Sequence, residues 1–146
     1  MKFHYLVRGI IYLNGMVLLA HERGADNTFL PGGHIEMGEK AQVALQREIE
    51  EEIGAIASVK QFIGAVECTW VAHGQANHEI NLVFEVEIPD LNPVKPPKAR
   101  EAHLEFSWVN PEELEAHNLQ PHPLVDCLTT WGRRYHGFWG SSIEVP

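Results

Sequence analysis

The chain has 146 residues, 45% of them hydrophobic and 21% charged. That is an ordinary globular composition and enough length for one domain with a real core. A formal net charge of −9 argues against binding along a nucleic acid backbone. It leaves room for a phosphorylated small molecule, because bound cations reverse the local sign.

The opening Met-Lys-Phe-His-Tyr-Leu-Val-Arg lacks the layout of a signal peptide, and no apolar run approaches the length of a membrane span. Residues 1–146 are therefore expected to form a single cytoplasmic domain with no membrane partner. Cys68 and Cys127 are far apart and fit no metal spacing, so both read as buried thiols of a reducing compartment.

In chain order, His4 to Leu13 and Met16 to His21 are strand-like runs around Asn14-Gly15, the favoured two-residue hairpin turn. Arg23 to Asn27 is a polar loop leading to the turn Pro31-Gly32-Gly33. Glu39 to Ile53 has no proline or glycine and is rich in helix formers, with Gly38 as a permissive entry and Gly54 as the stop. Leu45, Ile49 and Ile53 form its apolar stripe.

After the helix, Ser58 to Ala72 reads as one long or interrupted strand. His78 to Ile88 alternates, with Ile80, Leu82, Phe84 and Val86 on one face. Pro89 to Arg100 carries four prolines and reads as a loop. Leu104 to Val109 is a further strand, and Asn110-Pro111 caps a short helix. Pro123 to Arg133 is predicted helical, with Leu124, Cys127, Leu128 and Trp131 at helical spacing. The tail from Gly132 to Pro146 packs either on the domain or on a second subunit, which would make a homodimer. Strands enclosing a helix and followed by a second helix predict a mixed sheet covered on both faces.

The chemistry concentrates between Gly33 and Gly54. Glu48, Glu51 and Glu52 stand at i, i+3 and i+4, on one face of the helix. Like charges there repel, and a hard divalent cation removes the repulsion; carboxylate oxygens suit Mg²⁺ or Mn²⁺. Ala41 and Ala44 share that side and are expected to leave room for a ligand. Glu50 points elsewhere and reads as a solvated charge. A Glu-rich helix face can be simply solvated, but the upstream Phe29-Leu30-Pro31-Gly32-Gly33 turn makes the combination more specific, since glycines let backbone approach a ligand closely. His34, next to the double glycine, is placed to touch a phosphate. Trp70, Phe29 and Phe62 could stack a base, or belong to the core. The nine histidines are scattered without the spacing of a zinc site.

Gly33, five residues, Glu39, seven residues, then Arg47-Glu48-Ile49-any-Glu51-Glu52-any-Gly54 resembles the signature of the Nudix hydrolases. Eight defined positions agree at fixed spacing, and the surrounding pattern is similar from about Phe3 to Trp131. Ala55 stands where the family has a bulkier apolar residue, and Ile56 is expected to take that role.

The resemblance implies an α/β fold, a Nudix-like α/β/α sandwich with a mixed β-sheet. It implies Mg²⁺-dependent hydrolysis of a phosphoanhydride in a nucleoside diphosphate linked to another moiety, with Mn²⁺ as the alternative ion. Carried over residue by residue, Glu48, Glu51 and Glu52 hold the metal with a backbone carbonyl of Gly32 or Gly33. Arg47 fixes the glutamates through Glu39, and Glu48 is the first choice for general base. A further acid often comes from a loop before a late strand, where Glu101 lies, with Glu105 close behind and Glu79 a third candidate. His34, Phe29 and Trp70 are the expected substrate contacts.

The ligand is then a nucleoside diphosphate derivative or a nucleoside triphosphate. Gln61 to Ala76 lacks the proline usual in the family's ADP-ribose pyrophosphatases and the tyrosine of its diadenosine polyphosphate group. Leu18 to Leu30 lacks the arginine motif of its coenzyme A group. The alternative reading is a non-catalytic Nudix-like module that binds a nucleotide and regulates a partner. A catalyst turns nucleotide over, and a binding module is only stabilised by it.

Overall fold

The computed structural model describes residues 1–130 and 137–144. Two sheets and two helices make a three-layer arrangement. The larger sheet has five strands in the order β4 (Gly32–His34), β1 (Lys2–Ile10), β6 (Gln75–Glu87), β5 (Ser58–Ala72) and β8 (Phe138–Ser141). It is mixed: β1 runs parallel to β6 and β5 parallel to β8, while β4 and β5 run antiparallel to their respective neighbours β1 and β6. A smaller sheet pairs β2 (Tyr12–Leu13), β3 (Met16–Glu22) and β7 (Leu104–Val109).

The run expected as one strand from His4 to Leu13 is thus divided. Its first part joins the large sheet, and the remainder crosses at Ile11 to start a hairpin. Asn14 and Gly15 both take positive φ, 51° and 79°, the turn that matches strand twist.

Helix α1 (Ala41–Ile53) lies on one face of the large sheet. Leu45 and Ile49 are fully buried there against Val7, Phe84 and Val86. Leu82 joins them at the edge of that cluster, as the alternation of β6 predicts. Helix α2 (Pro123–Thr129) closes the other side, where Leu124 and Leu128 pack with Ile10, Val66 and Val83. The α/β/α layering read from the sequence is the layering observed.

Four local expectations are corrected. The main helix starts at Ala41, not Glu39, because the Glu39 carboxylate accepts from the Glu36 amide and from Arg47 and stays outside the first turn. Ala44 is fully buried and Ala41 packs on the same core, so small size serves helix–sheet packing and leaves no ligand space. Ile56 is 85% exposed, and the apolar contact past Gly54 is made by buried Ala57. The segment after Asn110 is a single 3-10 turn, Pro111–Glu113, capped by the Asn110 side chain accepting from the Glu112 amide.

The second helix runs from Pro123 to Thr129; Trp131 and the rest of its expected end lie outside the described residues. Of the tail, Phe138–Ser141 adds to this chain's own sheet as β8. Both cysteines are buried and free. No described helix is long and apolar enough to cross a membrane.

Candidate active site

Strand β4 and helix α1 together build the site. Gly32 adopts φ 141°, a conformation open to glycine, and a Cβ there would meet the Val7 carbonyl at 2.0 Å. A Cβ on Gly33 would meet the Glu48 carboxyl carbon at 2.4 Å. The double glycine is thus required twice over: once for the turn, once for the carboxylate resting on its backbone.

Arg47 organises the glutamates. Its Nε and Nη2 donate to the two oxygens of Glu39, each at 2.9 Å, a bidentate fork. Its Nη1 donates to Glu48 at 3.0 Å and Glu51 at 3.4 Å, and Nη2 also reaches the His34 carbonyl at 3.0 Å. The Arg47 guanidinium holds the Glu39 carboxyl down to about 2. One side chain therefore ties the glycine turn, the helix entry and two of the three box glutamates together.

The third, Glu52, turns inward. It is 5% exposed, and burial pushes its carboxyl up to about 8 despite the opposing charge of Arg8. Its Oε2 has no partner, the sole such buried side-chain atom among the described residues. A buried carboxylate oxygen without a donor is a costly arrangement in a native fold. Such an oxygen fits a ligand to a hard divalent cation.

Glu52 opens into a recess of about 370 Å³ that also receives Arg8, Gly32, His34, Glu22 and Glu101. Among the described residues no three His, Cys, Asp or Glu side chains close together as a metal cage. Mg²⁺ does not call for one, since it keeps several waters and binds through one or two carboxylates plus substrate phosphate. Of the expected set, Glu52 faces the recess, Glu48 lies between Gly33 and Arg47, and Glu51 stands half exposed on the outer side of Arg47.

Glu101 reaches the recess from the proline loop. That loop is fastened to the end of α1: the Arg100 amide donates to the Glu52 carbonyl at 2.8 Å, and the Arg100 guanidinium to the Glu50 carbonyl at 3.4 Å. Glu101 also pairs with His103 at 3.4 Å. Glu105 lies elsewhere, against Arg23 and His21.

The His34 ring is oriented by a chain of bonds. Asn77 Nδ2 donates to the Gln75 carbonyl, which leaves its Oδ1 to accept from His4 Nε2 at 2.9 Å. His4 Nδ1 then accepts from His34 Nε2, also at 2.9 Å. Burial, with His4 and Arg8 nearby, lowers the His34 pKa.

A second cavity of about 520 Å³ adjoins the recess. Arg8, Glu22 and Phe29 line both. Trp70, Cys68 and Glu79 form more of its wall. Trp70 stacks on His4 with ring centres 5.8 Å apart, and its Nε1 donates to Glu79 at 3.0 Å. Phe29 carries the Arg8 guanidinium 5.4 Å from its ring centre. Burial first, then the Glu79 carboxylate, pushes the Cys68 thiol up to about 12, which makes it inert at neutral pH. Phe62 stands apart, edge-on to Phe84.

Sequence reading missed Arg8 and Asn81. The signal for Arg8 was available, a lone charge inside the apolar run Leu6-Val7-Arg8-Gly9-Ile10. Asn81 had none, since it alternates with the apolar face of β6 and reads as solvated; in the fold it is fully buried.

A NUDIX-domain family model matches residues 3–128 of the chain. The chain is 34% identical over 87 residues to the ADP-ribose pyrophosphatase of Methanocaldococcus jannaschii, covering 56% of this chain and 49% of that protein. It thus spans about half the length of that relative. It is 29% identical over 139 residues to the isopentenyl-diphosphate Delta-isomerase of Cereibacter sphaeroides, covering 90% of this chain and 76% of that one. Among solved structures, the E. coli ORF135 protein superposes with a TM-score of 0.65 at 26% identity, over 93% of this chain and 96% of the other. The MutT protein of Bacillus halodurans superposes with a TM-score of 0.72 at 17% identity, over 98% and 91%, a likeness of fold.

Proposed function

We propose a function from one premise: the chain belongs to the Nudix hydrolase family. The proposed reaction is Mg²⁺-dependent attack of water on phosphorus in a nucleoside diphosphate derivative or nucleoside triphosphate. The observation that carries it is the partnerless buried oxygen of Glu52 in a recess shared with Glu101 and Arg8.

Glu52 holds the cation, with Glu48 and Glu51 completing the acidic face and Mn²⁺ an acceptable substitute. A divalent cation bound there would neutralise the diphosphate and polarise the attacking water. Glu101 takes the proton of that water. Its recess position favours it over Glu48, whose carboxylate is engaged by Arg47 at 3.0 Å. Arg47 positions the glutamates and does not touch substrate. Phe29 and Trp70 border the space where the rest of the substrate lies, and His34 offers a ring nitrogen at its edge.

The test is a substrate panel with Mg²⁺, run beside Glu52→Gln, with products identified by mass. The panel includes ADP-ribose, nucleotide sugars, dinucleoside polyphosphates, NADH, canonical and oxidised nucleoside triphosphates, and isopentenyl diphosphate. Anhydride cleavage lost in the variant supports the reading. Isomerisation of isopentenyl diphosphate without anhydride cleavage would overturn it. Thermal stabilisation by Mg²⁺ alone, absent in Glu52→Gln, checks the metal assignment independently of turnover. Stabilisation by nucleotide with no turnover of any substrate would favour the regulatory module instead.

A further inference from the structure

The wall of the larger cavity is a chain of fixed polar groups on one face of the large sheet. β1 and β6 are in parallel register with Leu6 opposite Asn81 and Arg8 opposite Val83. On this face Arg8 Nε donates to Asn81 Oδ1 at 3.3 Å, and Asn81 Nδ2 donates to Glu79 Oε1 at 3.0 Å. The amide can point in only one direction. Reversed, it would set N–H against N–H at Arg8 and oxygen against carboxylate at Glu79. Trp70 Nε1 fixes the other oxygen of Glu79. Asn81 is fully buried, and Arg8 is also anchored through Nη1 to the Leu30 carbonyl at 3.1 Å.

Among the described residues this chain of bonds leaves specific valences unused. A guanidinium has five N–H donors, and Arg8 commits two of them in these bonds. A carboxylate has about four acceptor sites, and Trp70 and Asn81 occupy one on each oxygen of Glu79. The neighbouring Cys68 thiol is only a weak donor. Arg8 and Glu79 both line the cavity, so its wall offers a donor beside two acceptors.

The complement is an acceptor followed by two donors in a planar ring. Adenine presents a donor and an acceptor, cytosine a donor and acceptors, and uracil a single donor between acceptors. A 2-amino-4-oxopyrimidine edge presents a keto oxygen, a ring N–H and an amino group in sequence. Guanine carries that edge, and pterins share it. Phe29 and Trp70 border the same cavity, and aromatic side chains are the groups on which a planar ring packs.

We propose that Arg8 and Glu79, braced by Asn81 and Trp70, form a recognition site for a 2-amino-4-oxopyrimidine edge: Arg8 donates to the keto oxygen, and Glu79 accepts from the ring N–H and the amino group. The proposal rests on the reading that the phosphates of the same ligand lie over the glutamate recess. It narrows the substrate class to a phosphorylated guanine nucleoside or pterin.

The test reads binding without turnover, with chelator present. Calorimetry compares GDP, IDP, ADP, CDP, UDP and neopterin on the wild-type protein and on Glu79→Gln. IDP differs from GDP by the amino group alone. GDP binding should exceed IDP by roughly tenfold to a hundredfold, the range for a hydrogen bond to a charged group. In Glu79→Gln that ratio should fall toward unity. GDP ahead of neopterin supports the site with a nucleoside source, and neopterin ahead supports it with a pterin source.

Equal affinity for GDP and IDP in the wild type overturns the proposal, whatever the variant does. An unchanged ratio in a folded Glu79→Gln protein overturns it as well. Because no metal or turnover enters, a panel that fails to find a hydrolysed substrate leaves this result standing on its own.

Discussion

The glutamate recess and the larger cavity meet at Arg8, yet they are built in different ways. The glutamate side of the recess comes from one stretch, Gly32 to Glu52, where a glycine turn hands the chain to a helix, while Arg8, Glu22, Phe29 and Glu101 reach the recess from elsewhere. Arg47 locks that stretch to itself through Glu39, Glu48, Glu51 and the His34 carbonyl. The cavity takes Arg8 from β1, Cys68 and Trp70 from β5, Glu79 from β6 and Gln120 from the segment before α2. The first is a local device with a defined charge pattern. The second depends on strand register. Changes in the recess should therefore act on metal and turnover, and changes in the cavity on which ligand is chosen.

The largest expected effect is at Glu52. Glu52→Gln keeps shape and removes the charge, so turnover should fall by roughly 10²–10³, comparable to removing one charge-stabilising group from an active site. The preference among substrates should stay as it was. A variant with near-normal rates would mean that the recess is not where the chemistry occurs.

The same residue sets a pH dependence in metal-free protein. The folded carboxyl of Glu52 is pushed up to about 8 from an ordinary 4.5. A raised carboxyl stabilises the fold fully below the unfolded value and loses that contribution as pH rises through the folded one. Melting of chelated protein should therefore weaken between pH 4.5 and 8, by on the order of a few kcal/mol. Glu39, held down to about 2, acts with the opposite sign and only below that window. Glu52→Gln should flatten the curve and melt higher than wild type at pH 8. Parallel curves for the two proteins would remove the argument that the carboxylate lacks a partner.

Arg47→Lys comes next. Lysine cannot reproduce the fork on Glu39 while also reaching Glu48 and the His34 carbonyl. Metal affinity, read by Mg²⁺ or Mn²⁺ titration, should drop about 10–100-fold, as for other groups that orient metal ligands. If affinity is unchanged and the protein simply melts lower, Arg47 is a structural clasp alone.

The contrast between the two regions also explains how much could be read in advance. The turn, helix, acidic face and Arg47–Glu39 pairing all lie within about one helix length of each other, so spacing alone carries them. The corrections there are small, such as Glu39 standing outside the helix because its carboxylate is already engaged. Arg8, Asn81 and Glu79 come together only because β1 lies parallel beside β6 with Leu6 opposite Asn81. Alternation tells which residues share a face of one strand, not which strand is its neighbour or whether that face meets water. Nothing in the spacing therefore marks Asn77 and Asn81, which are buried in the fold.

Trp70 gives the smallest and sharpest test of this division. Trp70→Phe keeps a flat ring at the cavity wall and deletes the Nε1–H that donates to Glu79 at 3.0 Å. The deleted bond is to a carboxylate, but Trp70 is 43% exposed, so water replaces part of what is lost. KM for the hydrolysed substrate should rise by about 3–10-fold, while kcat and the metal titration stay at wild-type values. The reason is positional: Glu79 remains braced by Asn81 on its other oxygen, and nothing in the Arg47 cluster touches Trp70. A fall in kcat with unchanged KM would show that the two regions are coupled through the His4–His34 contact on which Trp70 stacks, and that the local device is less local than its sequence spacing implies.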